Sequence, residues 1–596
     1  MLSDGTPYDQ TPIESSAFDP KNPSLIPAPT GIEIDVDVAV PMRDGTALIA
    51  DVFRPRAEGR YPTVLVRTPY DKRLAPASLT NYGFDVLAAA RAGYVVVIQD
   101  VRGTFASEGR LQHFHDERRD GAASIAWVAS QSWSNGSIGM AGASYLGATQ
   151  LLAALAAPPA LKAIAPTITG CDPYGWLYQG GAFQLAFALS WAVGMANADL
   201  TRRERRGDNT TDDRAILEEL SRDLRGTAER LPLAEIPRRT TALNNYGDWL
   251  QHPDCDGFWR AAAAPGDYAS IDVPALHVAG WYDIFLKGSL KNYTDMRDGR
   301  KDGRPRHQQR LIIAPWTHYQ PSDVVGDLWL GTAAGPGGID LTGEHLAFFD
   351  TFLKANEPPD ESVPVRLFVM GKNRWREEDG WPPARAVPTR LYLRAEGGLR
   401  REAPSDEAFD EFVYDPNDPV PTIGGNTLSL SSFFAGPRDR RPLRRRRDVL
   451  CYTTEVLAHD LEVTGPIRAR LHVSTSALDT DFTVTLVDVH PDGRAFGIAD
   501  GIVRLRYREG FETQRLAEPG RIYEIDVDLV ATSNVFLASH RISIEVSSSN
   551  FPRFDRNPNN GGVISEATAH DLIPAKQRIY HTAEHASHVV VPVIAR

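Results

Sequence analysis

The residues with the clearest chemical promise lie in Gly139-Met140-Ala141-Gly142-Ala143-Ser144-Tyr145-Leu146-Gly147. A short apolar run enters small residues, then a serine, then a helix-forming stretch. That is the context of a nucleophile elbow, in which a sharp strand-to-helix turn presents the serine hydroxyl. Such a turn crowds its neighbours, and Gly142 supplies the room on the strand side. The common G-x-S-x-G pattern would place glycine at 146, where this chain has leucine; its glycine comes one residue later. The helix starting after Ser144 would aim its N-terminus at the site and favour developing negative charge. Taken alone, the segment also fits an ordinary strand-to-helix turn.

Two further placements strengthen the chemical reading. The apolar run Ala275–Gly280 leads through Trp281 and Tyr282 to Asp283, and Leu311–Ala314 leads through Pro315-Trp316-Thr317 to His318. Serine, acid and histidine in that order, each after a strand, make a hydrolytic triad. Ser144 would attack a carbonyl, His318 would take its proton and later return it, and Asp283 would orient the imidazole. An oxyanion needs donors as well. One is the Tyr145 amide, next after the nucleophile. The second should come from the loop Thr68-Pro69-Tyr70-Asp71-Lys72, which has no glycine run. The Tyr70 phenol can donate there; alternatively its ring only packs on Pro69. This chemistry calls for no cofactor and no metal. His113 and His115, beside Asp116 and Glu117, match no common zinc spacing and read as a polar loop. Asp100 and Arg102 read as a structural ion pair.

These residues need a scaffold. Ile34–Val40, Ala47–Phe53, Thr63–Arg67 and Tyr94–Gln99 read as strands, the last two apolar throughout, as in a sheet buried on both faces. Helical periodicity covers Asn81–Ala92, Asp120–Ser130 and Tyr145–Ala157. Strand alternating with helix is the α/β signature. Residues 172–266 carry little strand signal and read as a helical cap inserted over the site. From 373 to 596 short alternating segments with turn residues indicate a β-sandwich or jelly roll. The expected fold is α/β: an α/β-hydrolase core (33–171 and 267–372), the inserted cap, and a C-terminal jelly-roll β domain, after an irregular leader at 1–32.

Composition sets the outer limits. The 596 residues exceed one compact core, and 42% hydrophobic with 24% charged residues suits a soluble globular chain. A net charge of −13 repels phosphate backbones, so nucleic acid is not an expected partner. The basic run Arg444–Arg447, preceded by Arg438, Arg440 and Arg441, reads as a solvated loop rather than an anion site. Three cysteines in so long a chain argue against a disulfide framework. The N-terminal segment lacks the basic and apolar regions of a signal peptide, and no apolar stretch approaches the ~20 residues of a membrane span. Cytoplasmic location, no membrane partner, a small ester substrate and an open option of homodimerisation follow.

Long segments also resemble one family. They include RTPYDK (67–72), VVIQDVRGTFASEG (96–109), GASYLGATQ (142–150), AGWYD (279–283), APWTH (314–318), VRLFVMG (365–371), TSALDTDFTVTLVDVHPDGRA (475–495) and SNVFLASHRISIEVSSSNFPRFDRN (533–557). The chain resembles the cocaine-esterase-like α/β-hydrolases, relatives of the α-amino-acid ester hydrolases and X-Pro dipeptidyl-peptidases. The resemblance implies three domains, nucleophile Ser144, acid Asp283, base His318 and oxyanion donors Tyr70 and Tyr145. It also implies an aromatic acyl pocket, with Trp191 and Phe285 at matching positions and Trp176 and Tyr178 as further candidate walls. In the amino-acid ester hydrolases an acidic residue stands two after the nucleophile; Leu146 stands there here and favours a neutral, apolar acyl group. The expected activity is thus a serine carboxylesterase working through an acyl-enzyme. An amidase or X-Pro/α-amino-acyl hydrolase on the same triad competes with it, and a non-catalytic binding protein is disfavoured by the intact triad.

Overall fold

The computed structural model describes residues 31–595 apart from 171, 265, 300–307, 320, 355–363, 406–407 and 429–434. The expected leader lies outside the described residues, except that Ile32 already opens the first strand.

The continuous apolar runs form the middle of one large sheet. Val64–Val66 and Val95–Ile98 are fully shielded from solvent, as strands covered on both faces must be. The strands are β1 (Ile32–Pro41), β2 (Ala47–Pro55), β3 (Tyr61–Thr68), β4 (Val95–Asp100), β5 (Ser134–Ala143) and β6 (Leu161–Thr167). A small hairpin, β7 (Tyr178–Gln179) and β8 (Ala182–Phe183), lies in the inserted segment. The main sheet resumes with β9 (Ala275–Tyr282) and β10 (Gln309–Thr317), and after a second hairpin, β11 (Val324–Val325) and β12 (Leu328–Trp329), with β13 (Val365–Val369) and β14 (Arg374–Glu378). The ten-stranded order is β1-β2-β4-β3-β5-β6-β9-β10-β13-β14. From β4 to β13 all neighbours are parallel. The chain moves to one side of β3 for β4 and to the other for β5. Parallel sheets open a crevice at the carboxyl ends of their strands where the order reverses in this way. Tyr70 follows β3, Ser144 follows β5, Asp283 follows β9 and His318 follows β10, so that edge carries all four.

Of the helix predicted over Asn81–Ala92 only the second half forms, as α2 (Val86–Arg91); a separate helix, α1 (Ala75–Asn81), ends where the predicted one begins. Gly83 lies between the two, taking a φ of 83°, and a Cβ there would meet the Leu341 side chain at 2.3 Å. Asp85 then caps α2 by accepting the Ala88 N–H at 2.8 Å. α3 (Glu117–Ser130) and α4 (Tyr145–Ala154) follow, and the inserted segment contributes α5 (Pro173–Leu177), α6 (Leu185–Arg205) and several shorter helices. It docks on the C-terminal region: Phe183 N–H donates to Asp555 at 3.0 Å and the Tyr507 hydroxyl to Asp254 at 2.6 Å. That region forms an eleven-stranded sheet around buried Leu471, Phe482, Ile525, Ile544 and Val589.

Two polar expectations are corrected. The arginine run is only partly a solvated loop: Arg441, Arg445 and Arg447 are exposed, but Arg440 and Arg444 both bind Glu545, at 2.8 and 3.1 Å, and Arg446 binds Asp448 at 2.8 Å. Burial of Glu545 makes the paired state obligatory, because one partner alone would be an uncompensated charge. Asp100 and Arg102 do not pair. Arg102 forks onto Asp120 at 2.7 and 2.8 Å, whereas Asp100 accepts the Lys72 N–H at 2.7 Å and so fixes the loop after β3. Burial pushes the Asp100 carboxyl up to about 7 from 3.8. The folded chain therefore keeps this proton up to about pH 7, while the unfolded chain releases it near pH 4. Folding takes up a proton in that window, and this contribution to stability is lost as pH rises through it. In Asp100→Asn, thermal melts from pH 4 to 8 should show a shallower decline of Tm than wild type; an identical decline would show that Asp100 does not titrate there.

Candidate active site

Ser144 has φ 59° and ψ −124°, a strained conformation for a non-glycine residue, between the end of β5 and the start of α4. Gly142, at φ 135°, lets the strand turn into it; a Cβ there would lie 2.5 Å from the Leu146 side chain. The strain aims Oγ out of the sheet edge. Oγ is 3.0 Å from His318 Nε2, and His318 Nδ1 is 2.6 Å from Asp283 Oδ1. Asp283 is wholly buried, and its Oδ2 has no hydrogen-bond partner among the described residues, so the imidazole is the chief counterpart of the carboxylate there. The structure thus brings together all three residues singled out by order and spacing.

Both oxyanion candidates flank Ser144. Tyr145 opens α4, so its N–H has no carbonyl within the helix to donate to. Its side chain points the other way: the hydroxyl bonds Glu117 at 3.1 Å and accepts the Phe114 N–H at 2.9 Å, and Glu117 is paired with buried Arg67 at 2.5 Å. This network anchors the elbow from below. The Tyr70 hydroxyl interacts with the Ser144 side chain and with the Trp191 indole, and burial pushes the phenol above its ordinary value. It therefore stays protonated and remains a donor. Among the described residues the Trp191 Nε1 meets no acceptor at full hydrogen-bond geometry, so its approach to that phenol is a looser contact. The loop holding Tyr70 is pinned by Thr68, whose hydroxyl accepts the Tyr70 N–H at 3.0 Å, and by the Asp100 bond to Lys72.

Aromatic rings cluster around the triad. Phe285 stands edge-on to His318 at 5.1 Å, and Trp176 lies 4.1 Å from Phe285. Trp191 is 5.9 Å from Trp176 and 6.1 Å from Tyr145. Tyr178 is set apart: its ring packs on Tyr174, Phe183 and Trp259, and its hydroxyl donates to Trp249 O at 2.9 Å. It borders a cavity of about 240 Å³ behind Phe285. His113 is buried against Trp191 at 4.7 Å, and burial pushes its pKa down to about 3, so its imidazole is neutral.

Two supporting residues were not legible in the sequence. The Tyr82 hydroxyl, at the break between α1 and α2, bonds His318 O at 2.7 Å. Asn426 donates through its buried amide to Trp281 O at 2.9 Å and Asp283 O at 3.0 Å, holding the acid loop from 143 residues away. Tyr82 sits at a turn that the glycine at 83 could have signalled; nothing local marks Asn426. Asn426→Leu removes the side-chain donor from Trp281 O and leaves Asp283 O with only the Leu286 N–H, at 3.1 Å. It should lower stability by about 1–3 kcal/mol and reduce kcat by roughly 10–100-fold through misplacement of the acid, with KM little changed. Urea unfolding and steady-state kinetics on the purified variant check both; kinetics identical to wild type would assign Asn426 to stability alone.

A serine on a strained turn between a parallel strand and a helix, with acid and histidine behind later strands of the same sheet, is the α/β-hydrolase arrangement. Comparison with known proteins narrows the class. Residues 44–320 match the model described as X-Pro dipeptidyl-peptidase (S15 family), and residues 357–590 match the X-Pro dipeptidyl-peptidase C-terminal non-catalytic domain. Cocaine esterase from Rhodococcus sp. (strain MB1 Bresler) is 42% identical over 577 residues, covering 94% of this chain and 98% of that protein. Among solved structures, an α-amino acid ester hydrolase superposes with a TM-score of 0.81 at 26% identity, covering 98% of this chain and 100% of that one. An aminopeptidase from a marine sediment Thaumarchaeota archaeon gives 0.81 at 28% identity, covering 97% and 100%. The chain belongs to the cocaine-esterase-like branch of the S15 family, with an α/β-hydrolase core and a β-rich C-terminal domain. No helix among the described residues is long and apolar enough to cross a membrane.

Proposed function

We propose that this chain is a serine carboxylesterase for esters with an apolar or aromatic acyl group. The continuous path Asp283 Oδ1, His318 Nδ1, His318 Nε2, Ser144 Oγ at 2.6 and 3.0 Å carries this reading. Ser144 Oγ attacks the ester carbonyl as His318 Nε2 takes its proton. The Tyr145 N–H and Tyr70 O–H hold the oxyanion, and Asp283 stabilises the imidazolium. On collapse, the alcohol leaves with the proton from His318, and an acyl-Ser144 ester remains. Water, deprotonated by His318, repeats the sequence and releases the acid. The acyl group rests against Trp176, Trp191 and Phe285. These rings are uncharged, which favours a neutral acyl group over an α-ammonium one, and Leu146 adds no carboxylate. Tyr178 lines the space behind that wall.

The same reading divides the chain into core (33–171 and 267–372), cap (172–266) and a jelly-roll domain (373–596), except that β14 (Arg374–Glu378) pairs with β13 and so carries the core past residue 372. The scarcity of cysteines supports a reducing, cytoplasmic location. A panel of p-nitrophenyl acetate, butyrate and benzoate, α-amino-acyl esters and X-Pro anilides tests the specificity. The apolar and aryl esters should give the highest kcat/KM. Highest values for amino-acyl esters or X-Pro anilides would transfer the assignment to those substrates on the same triad.

A further inference from the structure

Asp488, His490 and His540 form a cluster in the C-terminal domain whose ligand atoms all lie within 4.8 Å of one another, and the hydrolytic chemistry uses none of them. Asp488 sits near the end of the strand Asp481–Val489, and His540 immediately precedes the strand Arg541–Ser547. The two strands pair antiparallel, with Val489 opposite Arg541, so the sheet register brings Asp488 and His540 together. His540 Nδ1 lies 2.8 Å from Asp488 Oδ1. His490 begins the tight turn His490-Pro491-Asp492-Gly493, closed by the Gly493 N–H to His490 O at 2.9 Å. Its Nε2 lies 3.8 Å from the second carboxylate oxygen, Asp488 Oδ2, and its ring lies 4.3 Å from that of His540. The backbone of each residue is thus fixed by a strand or a closed turn.

We propose that these three side chains bind a divalent transition-metal ion of the zinc type. Two imidazoles and one carboxylate are a donor set that suits such ions, with a fourth position left to water. A tetrahedral ion with bonds of ~2.0–2.1 Å holds its ligands about 3.3–3.5 Å apart, within the span of this cluster. Asp488 contributes a carboxylate and the two histidines contribute imidazole nitrogens, each of which binds an ion in its deprotonated form. Arg494 is the nearby cation that acts against an ion at His490, and it is tied to Asp492 at 2.7 Å. A bound ion would staple the two strand ends and the hairpin turn. It would be structural and would take no part in the hydrolysis.

Full-length protein treated with EDTA and dialysed is titrated calorimetrically with zinc chloride, and its Tm is followed with and without the metal. Wild type should show a saturable site of one zinc per chain and a higher Tm with zinc. His490→Ala keeps the Asp488–His540 contact and changes a partly exposed turn residue. It should weaken binding by at least about 100-fold, beyond the roughly 10–100-fold that loss of an outer-shell partner brings, and remove the rise in Tm. Asp488→Asn should weaken it likewise; if that variant does not fold, His490→Ala decides alone. No saturable zinc binding by wild type, or wild-type affinity in His490→Ala, would overturn the proposal, the second result sending the ion elsewhere, for instance to His318.

Discussion

Replacing Ser144 with alanine should remove nearly all ester turnover while leaving the fold intact. Loss of a triad nucleophile typically lowers kcat by ~10⁴–10⁶, because no other group in the site can form the acyl intermediate. The hydroxyl interacts with His318 Nε2 at 3.0 Å and with Tyr70, so its removal strips no support from the core. The φ of 59° persists as a local strain that alanine tolerates little worse than serine. An organophosphate should label wild type at one equivalent per chain and leave Ser144→Ala unlabelled, with circular dichroism and Tm close to wild type. Full labelling of the variant, read by intact-mass spectrometry, would show that another residue is the nucleophile.

Replacing Tyr70 with phenylalanine should lower kcat by ~10²–10³ with KM little changed. A donor that bonds the oxyanion matters mainly in the transition state, so its loss appears in kcat and not in ground-state binding. Tyr70→Phe keeps the ring and its packing against the core and removes only the hydroxyl that interacts with Ser144. Burial holds that phenol protonated, so the donor is present throughout the working pH range. If the ring only packs, steady-state kinetics would stay near wild type and the oxyanion would need a donor other than this phenol. The variant should also lose up to ~1 kcal/mol of stability, since the Trp191 indole then faces an apolar edge. A kcat loss much larger than that stability change separates a role in the reaction from a role in packing.

The core of the site was readable from the chain because its logic is local. An elbow needs small residues before the serine, and Gly142 and Ala143 supply them. A parallel sheet needs apolar runs, and the residue after each run falls at the same edge. Order and spacing alone therefore singled out Ser144, Asp283 and His318, and the missing glycine run in the loop after β3 pointed to the Tyr70 hydroxyl. The helical insertion and the strand-rich second half were equally visible as changes of periodicity.

What supports these residues was decided by tertiary structure. Periodicity started a helix at Asn81, but Gly83 at φ 83° against Leu341 delays it to Val86 and leaves Tyr82 to hold the His318 backbone. Adjacent Asp100 and Arg102 looked like partners; strand geometry points them to Lys72 and Asp120 instead. Arg440 and Arg444 looked solvated because their shared acid, Glu545, lies about a hundred residues along the chain. Asn426 reaches Asp283 across 143 residues, and Asp488 meets His540 only through strand register. Local sequence reports backbone preference and periodicity. The partner of a buried polar group is chosen by which distant group the fold brings within about 3 Å to offset its lost hydration, and that choice leaves no local mark.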